Sequence, residues 1–257
     1  MSENPATEGR PSAAQAGRAS LPRNAANWAA KVDRLAVVDG GGGLNVAGRR
    51  LTGPVQGFGK MWRKTYWIEL SPEVSPRAVI ATWKGHFGEF WPQASHFKGP
   101  LTSLSPGDVA LLDVSVGGGV RLSTGVFVLY ADEESFTLMT PQGHMFAGWI
   151  TFSAERSSTV TIVQAQVLMR ANDPLYELAM AFGGHRKEDQ FWIQTMTALA
   201  QRLGVVPAVV QTQTVCVDRR RQWGNARQVW HNSMVRTMMH SVTSALASRR
   251  QPAPGPR

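Results

Sequence analysis

Several features are scarce in this chain, and each scarcity excludes something. A single cysteine, Cys216, stands among 257 residues, so no internal disulfide can form. That points to a reducing compartment or to a fold that needs no cross-link. Residues 1–20 carry two glutamates and no apolar run, unlike a secretory leader, and no apolar stretch approaches a membrane span. The expected location is cytoplasmic. Signature motifs are scarce too. The runs GGGG at Gly40 and GFGK at Gly57 lack the Lys-Ser/Thr ending of a phosphate loop. Neither a Gly-x-Ser-x-Gly elbow nor a His-Glu-x-x-His helix occurs. No metal motif and no redox cofactor is indicated. Acidic residues are nearly missing from the C-terminal fifth: residues 205–257 hold eight arginines against Asp218, a net charge of +7. Residues 60–204 are almost neutral at −1, so the overall +9 belongs to the ends.

What is present is enough for a core: 43% of the residues are hydrophobic. Residues 1–24 read as a disordered arm, followed over 25–56 by a short helix and a Gly-rich linker. Lys60 to Leu70 alternates, with Trp62, Tyr66, Ile68 and Leu70 on one side, which predicts a strand. Ser75-Pro76 opens a helix carrying Val79, Ile80, Trp83, Phe87 and Phe90, closed by Trp91-Pro92. Between 108 and 170 five alternating segments are separated by turn-rich glycine or charge, as in hairpins. The last of them changes apolar phase between Ile162 and Val163, which predicts a bulge or a face exchange. Asp173-Pro174 starts the longest helix, with Leu175, Leu178, Phe182, Trp192, Met196, Leu199 and Leu203 as its stripe and Gly204 as its end. A strand over 209–217 and a helix over 225–247, striped by Trp230, Met234, Met238, Val242 and Leu246, complete a basic extension over 205–250. Residues 251–257 read as a loose tail.

The order strand, helix, antiparallel strands, long helix resembles the helix-grip (START-like, SRPBCC) superfamily, which includes birch-pollen-allergen-like proteins and polyketide cyclases. The resemblance spans residues 57–204. Within it FTLMTPQGHMFAGWITF, with Thr140, Gly143, His144, Gly148 and Phe152, is similar to an uncharacterised bacterial branch. It implies an α+β fold, a bent sheet gripping the long helix, with N- and C-terminal helical extensions and a cavity for an apolar ligand. The superfamily holds carriers, sensors and enzymes, so resemblance alone fixes no function.

The candidate chemistry centres on the long helix. His185 and Asp189 continue its stripe one turn apart, and a carboxylate-oriented imidazole is an acid/base arrangement. The Gly183-Gly184 pair leaves a second reading open, in which the helix breaks and both side chains face solvent. His144, in the turn PQGH, is the third catalytic candidate. Trp67, Trp83, Phe87, Tyr130, Trp149, Trp192 and Met196 are candidates for the wall of an apolar pocket, although residues of this kind are more often plain core. Arg219-Arg220-Arg221 beside Trp223 reads as a solvated charge run, and nucleic acid is not the expected partner. Three functions stand side by side. The first is binding of a hydrophobic or aromatic small molecule. The second is a cofactor-independent cyclase, dehydratase or isomerase using the His–Asp pair. The third is an interaction protein forming a homodimer through the C-terminal helix.

Overall fold

A computed structural model of the chain describes residues 24–37, 43–92, 95–98, 104–117, 120–206 and 208–249. The predicted arm up to residue 23, the glycines at 40–42 and the tail beyond 249 lie outside these. The strands are β1 (Leu51–Thr52), β2 (Met61–Leu70), β3 (His96–Lys98), β4 (Val109–Gly117), β5 (Val120–Ala131), β6 (Ser135–Pro141), β7 (Phe146–Arg156), β8 (Thr161–Ala171) and β9 (Gln211–Asp218). The α-helices are α1 (Pro76–Gly85), α2 (Pro174–Ala179), α3 (His185–Arg202) and α4 (Ser233–Arg249). The sheet runs β3-β4-β5-β6-β7-β8-β2-β9, antiparallel throughout, with β1 paired to β6. Sequential hairpins build β3 to β8, and the first long strand then closes against β8. The result is a bent antiparallel sheet gripping a C-proximal helix.

Alternation explains which face is which. In β2 the even residues Tyr66, Ile68 and Leu70 enter the core, as do Phe152 and Ile150 of β7 and Val163, Ala165, Val167 and Met169 of β8. Helix α1 covers part of that face: Trp83 is fully buried and meets Phe152 edge-on at 4.8 Å, with Phe136 and Phe152 stacked at 4.6 Å beneath. Met196, Leu199 and Ala200 bring α3 onto the same core. The opposite face of β5 is covered by the N-terminal segment, where Leu35 and Val46 pack on Phe127. Gly125 leaves room for Val46 there, since an added Cβ would lie 2.8 Å from its methyl carbon.

Several expectations need correction. The helix over 25–38 is only a 3₁₀ turn at Ala25–Asn27, and the following chain runs against β5 through the Ala29 N–H to Leu129 carbonyl bond. The phase change in β8 is not a bulge: its pairing to β2 and β7 runs unbroken, and Ile162 faces outward like Gln164 and Gln166. Irregularities occur instead in β4 and β5 and at the start of β2. The long helix is interrupted by a π-turn at Met180–Gly184, with Gly183 at φ +101°. This break uncouples the two halves of the stripe. Tyr176 of α2 and Met180 of the π-turn point inward, whereas Leu175, Leu178 and Phe182 are exposed.

The helix over 225–247 is likewise two elements, a 3₁₀ segment at Trp223–His231 and α4. Asn232 separates them: its Oδ1 accepts from the Val235 N–H and its Nδ2 donates to Asp173 Oδ2 at 2.9 Å. The break turns Trp230 outward, 81% exposed, while Met234 packs on the core. The basic extension is thus built into the domain. β9 adds a strand beside β2, and buried Arg170 donates to the Gly59 and Arg220 carbonyls and to Asp218 Oδ2 at 2.6 Å. Arg221 pairs with Glu177 at 3.0 Å, so part of the arginine run is committed to structure.

Candidate functional site

The unusual chemistry of the interior lies where the first turns of α3 cross β2. Lys64 has the same parity as Trp62 and Tyr66, so its side chain is carried inward and is wholly buried. An ammonium there requires anionic partners. Two come from consecutive residues of α3: Glu188 Oε2 and Asp189 Oδ1 each lie 2.8 Å from Lys64 Nζ. Asp189 Oδ1 also accepts from the Tyr66 hydroxyl at 2.6 Å. The Lys64 ammonium further approaches the carbonyl of His185 at 3.4 Å. The His185 ring packs edge-on against Trp62 at 4.8 Å.

The two carboxylates are not equivalent. The Asp189 side chain is 37% exposed and hydrogen-bonded, whereas that of Glu188 is 6% exposed. The Lys64 ammonium is the one partner of Glu188 Oε2 among the described residues, and Oε1 has none. Burial therefore dominates, and although Lys64 opposes it, the Glu188 carboxyl is pushed up to about 7. Burial and then Lys64 lower the His185 imidazole, whose Nδ1 is buried without a partner. Burial, reinforced by Glu188 and the Asp189 bond, raises the Tyr66 phenol and keeps it a hydrogen-bond donor. The cluster thus contains a carboxyl near its neutral point, a neutral imidazole and a phenol, backed by a fixed positive charge. Such a set can accept or supply one proton and hydrogen-bond one polar group.

His185 and Asp189 come together, one turn apart on the inward side of α3, but Asp189 is spent on Lys64 and Tyr66 and makes no hydrogen bond to His185. His144 belongs elsewhere, in the β6–β7 turn. Its Nδ1 accepts the Phe146 N–H at 3.0 Å, and burial drives it down to about 4, so it is a neutral structural acceptor. No group of three or more His, Cys, Asp or Glu suited to a metal occurs among the described residues.

The aromatic candidates divide by face. Trp83, Phe87, Trp192 and Met196 border the interior. Trp67 and Trp149 stand on the other face, opposite in parity to their core-forming neighbours, and the irregularity after Val128 turns Tyr130 to that face as well, opposite Thr137. Tyr130 packs on Trp28 at 4.9 Å and donates to Asp132. The inner aromatics contact one another densely, with Phe87 5.2 Å and Trp192 5.7 Å from Phe152. Trp83 Nε1 is left among them as a buried donor without a partner. Two open cavities, of about 410 and 610 Å³, lie by β1 and are lined by no residue of α3.

Lys64 and Glu188 are the functional candidates that sequence reasoning passed over. The signal was present: Lys64 interrupts the apolar alternation of Trp62, Tyr66, Ile68 and Leu70 on the inward side. A lysine there obliges an acid opposite, and Glu188 lies three residues from His185.

No protein-family model and no curated protein matches this chain. Solved structures resemble it at low identity. Ara h 8.0201 is 14% identical over 55% of this chain and 97% of its own, with a TM-score of 0.39. The di-domain ARO/CYC StfQ from the steffimycin biosynthetic pathway is 8% identical over 58% of this chain and 53% of its own, with a TM-score of 0.43. Major latex-like protein 151 from Panax ginseng is 11% identical over 56% of this chain and 98% of its own, with a TM-score of 0.37.

Proposed function

We propose that the protein binds a small, largely apolar molecule bearing one polar group, and that this group is received between β2 and α3 by Glu188, His185 and Lys64. The observation that carries the reading is Glu188. A buried carboxyl whose Oε1 has no partner and whose Oε2 meets only the Lys64 ammonium, one helical turn from the unpartnered buried Nδ1 of His185, keeps bonding capacity that a purely structural ion pair would fill. A ligand hydroxyl or carbonyl reaching this point would supply the missing bonds. The inner aromatics Trp83, Phe87 and Trp192 would part around its apolar body.

A second reading, proton transfer of the cyclase, dehydratase or isomerase kind, is favoured by one specific feature. Glu188 is held near neutrality, where a carboxyl serves as both acid and base. In that reading Glu188 moves the proton, while Tyr66 and Lys64 hold the developing charge.

The test uses the full chain. Intact-mass spectrometry under native conditions should reveal a co-purified molecule, and calorimetry should show binding of 2-naphthol in preference to naphthalene. The double variant Lys64→Met/Glu188→Met removes the charges while keeping bulk, a kind of change that is often neutral for stability. It is expected to stay folded and to lose the preference for 2-naphthol by about tenfold, one missing hydrogen bond's worth. Equal affinities for both probes in the parent, or an unaltered preference in the folded double variant, would overturn the proposal.

A further inference from the structure

The 410 Å³ cavity, an open cleft, lies apart from the grip and is bordered by three segments far apart in the chain. Arg50, Leu51 and Thr52 come from the β1 end, Gln142 from the β6–β7 turn, and Arg227, Gln228, Trp230 and His231 from the 3₁₀ segment, with Gln56 completing the rim. Its volume is within the range of about 300–1,000 Å³ that holds small ligands. The lining contains two guanidinium groups and no carboxylate. Neither Arg50 nor Arg227 has an ion pair among the described residues. The one acid bordering the adjoining cavity is Asp33, beside Arg34 and Arg50.

The walls are fixed rather than loose. Gln142 Nε2 donates to Gln228 Oε1 at 3.0 Å, and the Gln142 N–H to the Arg50 carbonyl at 2.8 Å. Arg49, 8% exposed, lies 3.0 Å from His231 Nδ1. A guanidinium can only donate, so this ring nitrogen accepts and the cavity-lining imidazole carries its proton on Nε2. Trp230 at the rim is 81% exposed, an uncovered flat indole beside two uncommitted cations. Arginine forks match carboxylate and phosphate oxygens, and an indole face stacks on another ring.

We infer that this cleft is a binding site for a small aromatic anion, a flat ring system carrying a carboxylate or phosphate. The anionic group sits between Arg50 and Arg227, the ring lies on Trp230, and His231 Nε2–H donates to the ligand. The inference is independent of the grip site, with which the cleft shares no residue.

Isothermal titration of the full chain with 2-naphthoate and with adenosine monophosphate tests it, with adenosine and inorganic phosphate as the half-ligands. At least one of the two aromatic anions should bind at least tenfold tighter than either half-ligand. Arg50→Gln, Arg227→Gln and Trp230→Ala alter exposed side chains, so melting temperatures should hold. Each should weaken binding by about tenfold, as expected for loss of one charge-assisted bond or one stacked ring. Burial and the nearby Arg49 and Arg236 lower the His231 imidazole. A bound anion should raise it, visible in the histidine proton resonances. Absence of binding by both aromatic anions overturns the assignment, as does affinity unchanged in the three variants. Adenosine or phosphate binding as tightly as the monophosphate, or affinity rising with oligonucleotide length, would overturn it equally.

Discussion

At the residue scale, the protein keeps two buried titratable groups whose protons pull stability in opposite directions. Glu188 is raised from 4.5 to about 7 by burial, so its contribution is fully present below pH 4.5 and is lost as pH rises through 7. His144 is lowered from 6.5 to about 4, also by burial, so its contribution is present above pH 6.5 and fades as pH falls toward 4. Across pH 4.5 to 6.5 the two offset, and the parent should be flatter than either single variant. In urea unfolding, Glu188→Gln should become more stable as pH rises through this window, and His144→Gln less stable. Parallel profiles in parent and variants would refute these assignments. Lys64 provides a sharper contrast. Lys64→Ala leaves Glu188 facing Asp189 without a cation and should cost about 3–5 kcal/mol, whereas the double methionine replacement should cost little.

At the element scale, two of the five positive-φ glycines among the described residues do different jobs. Gly183, at φ +101°, has open space around a would-be Cβ, so Gly183→Ala tests backbone strain alone. About 1–2 kcal/mol of destabilisation is expected from forcing a side chain into the left-handed region. Gly143, at φ +91°, has the same strain, and a Cβ there would also run into the His231 carbonyl. Since the Gly143 carbonyl accepts the Ser233 N–H, Gly143→Ala should cost more and should loosen the start of α4, visible as faster amide exchange at Ser233 and Met234. Equal costs at the two glycines would contradict this reading. These turns also mark where the sequence was readable. Period-two alternation located β2 and β4 to β8 within a few residues, because each buries one face. The helix stripes failed at Met180–Gly184 and Asn232, where a local break changes phase without changing composition. The Gly183-Gly184 pair hinted at the first break. Nothing local announced the second, since Asn232 acts through Asp173, 59 residues away. The site was half legible for the same reason. His185 and Asp189 lie on the inward side as the stripe implied, but which acid is buried depends on the exact turn at which α3 meets Lys64.

At the scale of the whole molecule, the decisive question is whether the basic C-terminal segment is an appendage or part of the domain. Composition separates it sharply, yet its contacts tie it to the sheet. β9 covers what would otherwise be the edge of β2, the strand that carries Lys64 and Tyr66. Arg170, 2% exposed, relies on Asp218 for its counter-charge and on the Arg220 carbonyl for a further hydrogen bond. Asn232 bonds Asp173, the buried cap of α2, and the Met234 N–H donates to the hydroxyl of Tyr176. A chain ending at residue 204 would leave a buried guanidinium unpaired, at a cost of about 3–5 kcal/mol before the other losses. Added to the loss of the β9 pairing and of the Asn232 and Met234 bonds, that removes most of a usual total of about 5–15 kcal/mol. The truncated chain should therefore be unfolded or aggregated, without a cooperative urea transition. The full chain should show the linkage in acid. Bonds from the Arg220 N–H and from Arg170 hold Asp218 down at about 2 against a usual 3.8. The stability it contributes is present above pH 3.8 and disappears as pH falls through 2, and Asp218→Asn should abolish that acid limb. A truncated chain that unfolds cooperatively near the full-length midpoint would show instead that residues 57–204 stand alone. The C-terminal segment would then be free to serve a partner.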